Sequence, residues 1–344
     1  MANLYIPWIF LVQTLTLFAK CRGKVPAVIV FGDSSVDSGN NNFIPTIARS
    51  NFQPYGQDFP GGQATGRFCN GRIPSDLISD GLGLKPTIPA YLDPMYNISD
   101  FATGVCFASA GTGYDNKTSD VARVIPLWKE VEYYEEYQKK LKAYLGNKKA
   151  KNITNIGTND FLENYYTLPD RQSQFTVKQY ENFLINLAAN FAKKLYALGA
   201  RRMSLAGLPP MGCLPLERTT NIMGLHGCVE ERNNVALEFN RKLKGMVAKL
   251  NKQLPGLEAV YGDVYYIFLQ IITRPSVFAC PNNILGLKMV LFSMTGLEEA
   301  RVGCCGTVSY PSLHQSDFHQ SKTDRLKLPR CSFVTAATIQ PLEI

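Results

Sequence analysis

The residues of this sequence that could do chemistry are a serine, Ser34, in the turn Gly32–Ser35 and three histidines, His226, His314 and His319. A serine hydroxyl becomes a nucleophile when a neighbouring base takes its proton, and histidine commonly serves as that base. A Gly-Asp-Ser tripeptide by itself is weak evidence, because short polar turns more often cap a helix. The residues therefore raise the hypothesis of a serine hydrolase, whose support must come from the rest of the chain.

Alternating strands and helices are predicted to position Ser34. The run Val25–Phe31 is short, apolar and rich in β-branched residues, which is typical of a buried parallel strand. Apolar residues at helical spacing predict an amphipathic helix over 127–145, and two later helices each lead into a strand, at Arg202–Ala206 and Glu258–Tyr261. This alternation predicts an α/β protein with a parallel sheet, and Ser34 would lie at the sheet edge where such folds bind ligands.

Three further blocks accompany the Ser34 turn: FASAGTGYD (Phe107–Asp115), IGTNDFLENYY (Ile156–Tyr166) and GLPPMGCLPLERT (Gly207–Thr219). In this order and spacing the four blocks resemble the plant GDSL esterase/lipase family of the SGNH hydrolase superfamily. The resemblance runs from about Val25 to Phe278, with a shorter echo at Gly296–Thr307. It implies a three-layer α/β/α sandwich with a mainly parallel, flavodoxin-like sheet, and ester hydrolysis through an acyl-enzyme without a cofactor.

The resemblance also implies roles for individual residues. Ser34 would be the nucleophile, and the backbone N–H of Gly111 and the side-chain amide of Asn159 would bind the oxyanion. Gly104 is an alternative to Gly111 in the second block. We interpret Asp33 as a residue that orders the turn or caps the following helix, rather than as the acid of a catalytic triad.

The general base is predicted to be His319, oriented by Asp317. The segment around them, SDFHQSKT, is similar to the family's D-x-x-H-P block, but Asp317 stands two residues before the histidine and no proline follows. His314 is an alternative base, whereas His226 is interpreted as a surface residue. If none of the three acts as base, the chain is a catalytically impaired GDSL-fold protein, a pseudoenzyme or mis-spliced form, that binds esters without hydrolysing them.

Three segments also depart from the family pattern. The residues before Gly157, KKAKNITN, are polar, which predicts that the family's buried strand is absent and that Asn159 does not reach the site. The segment 279–295 interrupts the pattern and is interpreted as an insertion of translated noncoding sequence. The tail over 311–344 has no helical period, so we expect it to be divergent and without regular structure.

The N-terminus indicates secretion. Leu4–Ala19 is apolar and basic residues follow, which predicts a signal peptide over 1–23 and a hydrolase domain over 24–310. We therefore expect an extracellular protein without stable membrane insertion. Three glycosylation sequons agree with the secretory route: Asn97, Asn116 and Asn152.

Cysteine spacing and charge narrow the remaining possibilities. A disulfide between Cys213 and Cys228 is favoured over two buried thiols, and no His/Cys spacing suggests a metal site. The net charge of +8 comes from scattered Lys and Arg, which argues against a nucleic-acid partner. The expected partner is a small-molecule or lipid acyl ester. The basic surface is interpreted as a solvated surface, and attraction to an acidic matrix such as a cell wall is the alternative.

Overall fold

The computed structural model describes residues 25–145 and 151–274, with the backbone alone for 145 and 151–155. Its strands form one sheet in the order β2-β1-β3-β4-β5, and every neighbouring pair is parallel. The strands are β1 (Val28–Gly32), β2 (Gly104–Cys106), β3 (Lys151–Asn155), β4 (Arg202–Ala206) and β5 (Glu258–Gly262). This order has its switch point between β1 and β3, the place where sheets of this kind bind ligands. The predicted α/β fold with a parallel sheet is confirmed.

Eight α-helices among the described residues connect and cover the strands. They are α1 (Pro74–Gly81), α2 (Asn116–Ala122), α3 (Leu127–Leu145), α4 (Pro169–Gln174), α5 (Val177–Ala197), α6 (Pro215–Thr220), α7 (Glu230–Gln253) and α8 (Tyr265–Thr273). A π-helical turn spans Asp160–Tyr165, and short 3-10 turns lie at Asn40–Phe43, Pro60–Gly62, Asp100–Thr103 and Met211–Cys213. Helix α5 begins with a capping box between Thr176 and Gln179, which satisfies backbone donors in its first turn. Helix α3 and strand β4 have the bounds that their sequence patterns predict.

Strand β3 corrects the prediction that the strand before Gly157 is absent. Lys151–Asn155 pairs along its whole length with β1 and over four residues with β4, so it is a central strand. The prediction was wrong because it relied on side-chain polarity, whereas strand pairing uses backbone groups that every non-proline residue carries. Asn159 consequently follows the carboxyl end of a central strand. Asn152 lies inside that strand, a poor place for a glycan.

Strand β1 packs against helices on both of its faces. Ile29 and Phe31 are fully buried in the larger core, together with residues of α3, α5 and α7. Val28 and Val30 point the other way, into a smaller core to which the end of α1 contributes. Each of these buried side chains contributes about 2 kcal/mol by leaving water. The strand that leads to Ser34 is therefore held rigidly from both sides.

The predicted signal peptide at 1–23, insertion at 279–295 and tail at 311–344 lie outside the described residues. The ends of the predicted hydrolase domain, at 24 and 310, lie outside them as well. Among residues 25–145 and 151–274, no helix combines the length and apolar character needed to cross a bilayer.

Candidate active site

Ser34 lies in the serine loop, Asp33–Phe43, which leaves the carboxyl end of β1. The carboxylate of Asp33 accepts hydrogen bonds from the backbone N–H and the hydroxyl of Ser35, at 3.0 and 2.6 Å. Its carbonyl oxygen accepts the N–H groups of Val36 and Asp37. Asp33 thus orders the turn, as its position in the sequence predicted. Ser34 is 6% exposed, and its hydroxyl makes no hydrogen bond within the part of the chain that the structure describes.

Burial shapes the electrostatics of this loop. Desolvation raises the pKa of Asp33 to about 6, although its hydrogen bonds with Ser35 act in the opposite direction. Desolvation likewise raises the pKa of Asp37 to about 6, against hydrogen bonds from the N–H groups of Gly39, Ala110 and Asn40. Both carboxyls serve as acceptors for backbone donors, which fixes the conformation around Ser34.

The glycine loop, Phe107–Asp115, follows β2 and packs directly against the serine loop. The Asp37 carboxylate accepts the N–H of Ala110 at 3.0 Å. Side-chain amides from the serine loop donate to carbonyl oxygens of the glycine loop, Asn40 to Ala108 at 2.8 Å and Asn41 to Ala110 at 3.0 Å. These contacts hold Ser34 and Gly111 on the same edge of the sheet.

Gly111 has a backbone φ of 86°, in the left-handed region that favours glycine. The alternative, Gly104, is the first residue of β2 and pairs with Val28 at the amino end of β1. It therefore lies at the opposite end of the strands from Ser34. Of the two glycines, Gly111 is the one that the fold brings to the edge where the serine loop begins.

Asn159 reaches this edge from the carboxyl end of β3. Its side chain is 1% exposed, and its amide nitrogen donates to the carbonyl oxygen of Thr112 at 3.0 Å. A side-chain amide carries two N–H donors. The bond to Thr112 orients the group, and no other described residue accepts its second N–H. Gly157, two residues earlier, has a φ of 126°, and a Cβ there would lie 3.0 Å from the Leu208 side chain. Glycine is thus required in the turn that aims Asn159.

Asp160 is a residue of this edge that the sequence analysis missed. Its carboxylate accepts the N–H groups of Tyr114 at 2.7 Å and Asp115 at 3.0 Å, and the hydroxyl of Thr118 at 2.6 Å. Burial raises its pKa to about 7, against the lowering effect of these bonds. The signal in the sequence was a carboxylate directly after Asn159, in a block with few charged residues. Asp160 fixes Asn159 to the end of the glycine loop.

Of the three histidines, one lies within the described residues and two lie outside them. His226 is exposed, and its ring nitrogen Nδ1 lies 3.1 Å from the carbonyl oxygen of Arg218, so the prediction of a surface residue is confirmed. The predicted base His319, its partner Asp317 and the alternative His314 lie outside the described residues. Of the predicted site residues, the structure places Ser34, Gly111 and Asn159 at the same edge of the sheet.

Two further predictions concern cysteines and metals. Cys213 and Cys228 form a disulfide with a Cα–Cα distance of 4.3 Å, which confirms the predicted pair. It closes the loop that contains His226 and ties the segment after β4 to the start of α7. Over 25–145 and 151–274, no group of three or more His, Cys, Asp or Glu side chains is arranged to hold a metal ion.

Comparison with known proteins decides the family. Residues 28–322 match the family model described as GDSL-like Lipase/Acylhydrolase. The chain belongs to this family. It is 56% identical to GDSL esterase/lipase At2g42990 of Arabidopsis thaliana over 315 residues, which cover 89% of this chain and 85% of the relative. It is 58% identical to GDSL esterase/lipase At2g04570 of the same plant over 289 residues, covering 82% and 81%.

Membership assigns this GDSL protein to the carboxylic-ester hydrolases, with small-molecule esters as its substrates. The resemblance that the four sequence blocks suggested is confirmed. The family match also spans β3, in agreement with its central place in the described sheet.

Proposed function

We propose that this GDSL protein is a secreted serine esterase or lipase in which Ser34 attacks the acyl carbonyl and forms an acyl-enzyme. One observation carries the proposal. At the switch point of the sheet, Ser34, whose hydroxyl makes no hydrogen bond to another described residue, Gly111 and Asn159 come from three separate segments that hydrogen bonds hold together. Such an arrangement suits a nucleophile that faces donors for a developing oxyanion.

In the proposed reaction, His319, oriented by Asp317, takes the hydroxyl proton as Ser34 Oγ bonds to the carbonyl carbon. The carbonyl oxygen becomes an oxyanion that accepts hydrogen bonds from Gly111 N–H and the free amide N–H of Asn159. The alcohol leaves with the proton from His319, and water then hydrolyses the acyl-enzyme by the same route in reverse. A donor such as Asn159 contributes about 3 kcal/mol to stabilising this transition state.

The test is hydrolysis of p-nitrophenyl acetate and butyrate by the secreted protein. We expect Ser34→Ala and His319→Ala each to lower kcat at least about 1000-fold. Matched controls are Ser173→Ala and His226→Ala, two exposed residues that should leave kcat unchanged. Labelling of the wild type, but not of Ser34→Ala, by an active-site phosphonate would locate the nucleophile.

An inactive wild-type protein whose Ser34 resists the phosphonate would refute the proposal. Ester binding without release of p-nitrophenol would instead identify the impaired GDSL-fold protein, with no working base. Loss of activity in Ser34→Ala alone, with His319→Ala active, would leave Ser34 as nucleophile and reject His319 as base.

We further propose secretion, with processing near residue 23. The apolar segment Leu4–Ala19 supports it, and so does the Cys213–Cys228 disulfide, a bond that persists in oxidising compartments. Sequencing the N-terminus of protein from culture medium tests the cleavage site. Exposed Asn97 and Asn116 are the proposed glycan carriers, and their substitution by Gln should remove the mass shift caused by a glycosidase.

Two finer points of organisation are also proposals. The hydrolase domain would extend over 24–310 as a three-layer α/β/α sandwich, which the helices on both faces of β1 support. Limited proteolysis should then leave a core fragment with those ends. Cell-wall association would rest on the net charge of +8, and should appear as retention on a polyanionic matrix that is lost when surface lysines are neutralised.

A further inference from the structure

Glu130 is a buried carboxyl that the proposed reaction does not use. It lies in the first turn of α3, and its side chain is fully buried. Its oxygen Oε2 accepts the N–H of Gly32 at 2.9 Å, whereas Oε1 has no hydrogen-bond partner among the described residues. Burial of an ionisable group without a cation costs stability. Packing alone would favour an apolar side chain here.

Among the described residues, the charged groups that act on Glu130 are both acidic. Burial raises the pKa of Glu130 well above its ordinary value, and Asp37 and Asp33 of the serine loop add to this effect, while the Gly32 N–H acts against it. Arg67 interacts with Asp37, but its guanidinium pairs with Asp76 at 2.8 Å. Burial and these two carboxyls therefore favour the protonated form of Glu130, whose oxygen Oε2 accepts the Gly32 N–H.

Gly32 connects the elements that bear the nucleophile and the oxyanion donor. Its φ of 137° lies in the region that favours glycine, where the strand turns into the serine loop. Its N–H goes to Glu130, and its carbonyl oxygen accepts the N–H of Ser109 at 2.9 Å. Ser34 follows Gly32 by two residues, and Gly111 follows Ser109 by two. The position of this one residue thus sets both loops relative to each other.

We propose that Glu130 is a positioning residue for ester hydrolysis, because its bond from Gly32 N–H fixes the point at which the serine loop leaves β1 and so places Ser34 against Gly111. The inference rests on the proposed role of Ser34 as nucleophile. Without the bond, Gly32 N–H would be a buried donor without a partner, and the loop would move to satisfy it.

The experiment compares Glu130→Gln, which keeps an acceptor oxygen, with Glu130→Met, which keeps the volume and removes the acceptor. Matched controls are Glu132→Gln and Glu132→Met at an exposed site on the same helix. We expect Glu130→Met to lower kcat for p-nitrophenyl butyrate and the rate of phosphonate labelling about 100-fold, with KM unchanged. Glu130→Gln should keep kcat within about twofold, since an amide oxygen accepts the same bond.

A second readout is the pH profile of kcat. In the wild type, kcat should fall as pH rises through the raised pKa of Glu130, because the carboxyl then ionises beside Asp37 and Asp33, and Glu130→Gln should lack this fall. This readout can be measured even if Glu130→Met does not fold. A folded Glu130→Met with wild-type kcat, or Glu130→Gln with the same fall in kcat as the wild type, would overturn the inference. Ser34→Ala is assayed in the same experiment. If Ser34→Ala stays active, the proposed function fails and the inference fails with it. If Ser34→Ala is inactive but the Glu130 variants are unaffected, only the inference is rejected.

Discussion

The serine loop and the Asn159 segment are both held against the glycine loop, but by different means. The serine loop contacts the glycine loop through three separate side chains: the neutral amides of Asn40 and Asn41 and the carboxylate of Asp37. On the other side, three bonds share one acceptor, the carboxylate of Asp160, and the amide of Asn159 adds a bond to Thr112. Bonds to separate partners tolerate the loss of one partner, whereas bonds that share one acceptor are lost together. The Asn159 side of the site should therefore be the more sensitive to substitution and to pH.

The largest expected effect comes from the Asn159 side chain itself. Asn159→Ala should lower kcat for p-nitrophenyl butyrate about 100- to 1000-fold with little change in KM, because the proposed donor would act on the transition state. Asn234→Ala, at an exposed position of α7, is the matched control and should have wild-type kinetics. An unchanged kcat in Asn159→Ala would remove the oxyanion role from this side of the site.

The next largest effect is on the free energy of unfolding, and it compares the Asn159 segment with the serine loop. Asp160→Ala leaves the donors of Tyr114, Asp115 and Thr118 without their acceptor, and should lower the free energy of unfolding by about 3 kcal/mol or more. Asn41→Ala should cost only about 1–2 kcal/mol, because other contacts still hold the serine loop. Urea unfolding of the two variants measures the difference. Equal losses would mean that the two sides are equally redundant.

A smaller effect is expected in the loop that both sides share. Gly111→Ala introduces a Cβ at a φ of 86°, which should cost about 1–2 kcal/mol although the space itself is adequate. The matched control is Gly245→Ala, within helix α7 and without a neighbour near the added Cβ, which should raise stability by about 0.5–1 kcal/mol. Thermal unfolding distinguishes the two. If both variants were more stable than the wild type, the backbone at residue 111 would accept a side chain without strain.

The smallest effect is a change in the pH dependence of stability. The pKa of Asp160 is raised from an ordinary 3.8 to about 7, so the folded protein binds a proton there that the unfolded chain has released. Stability contributed by this proton is present at acidic pH and is lost as pH rises through about 7, whereas the Asp33 and Asp37 contributions are lost by about pH 6. Asp160→Asn should weaken the protein overall, since its NH2 faces the Tyr114 N–H, and should flatten the decline between about pH 6 and 7. Urea unfolding at a series of pH values measures it, and an unaltered decline would assign that window to other groups.

Elements with a strong apolar period were predictable from the sequence, and those defined by pairing were not. Helix α3 and strand β4 match their predicted bounds because their apolar residues recur at the period of each structure. Strand β3 was missed because KNITN is polar, and only its two neighbouring strands make it a strand. The fold class followed from alternation, which does not depend on any one element.

The same reasoning applies to the site. Ser34, Gly111 and Asn159 stand in blocks that could be identified in the sequence, and the fold brings them to one edge. Glu130 and Asp160 escaped notice because a carboxyl in a helix or turn usually faces water. Glu130 did carry a signal, since it lies between Leu127 and Tyr134 on the buried face of α3. A charged residue on the apolar face of a helix indicates a buried polar contact, here with the strand on which the helix packs.

The strand order also sets the sequence of events during synthesis. Strand β1 is made early, yet Val28 pairs with Lys151, roughly 120 residues later in the chain, and Lys151 pairs in turn with Arg202. The edge that holds Ser34 and Asn159 together cannot form until β3 has left the ribosome, and β3 is unsupported on one side until β4 follows. Contacts so distant in the chain slow folding and expose strand edges meanwhile. Between the synthesis of β1 and that of β3, the nascent chain must therefore keep the edge of β1 from pairing wrongly. A protein built from local contacts would face this risk for a shorter time.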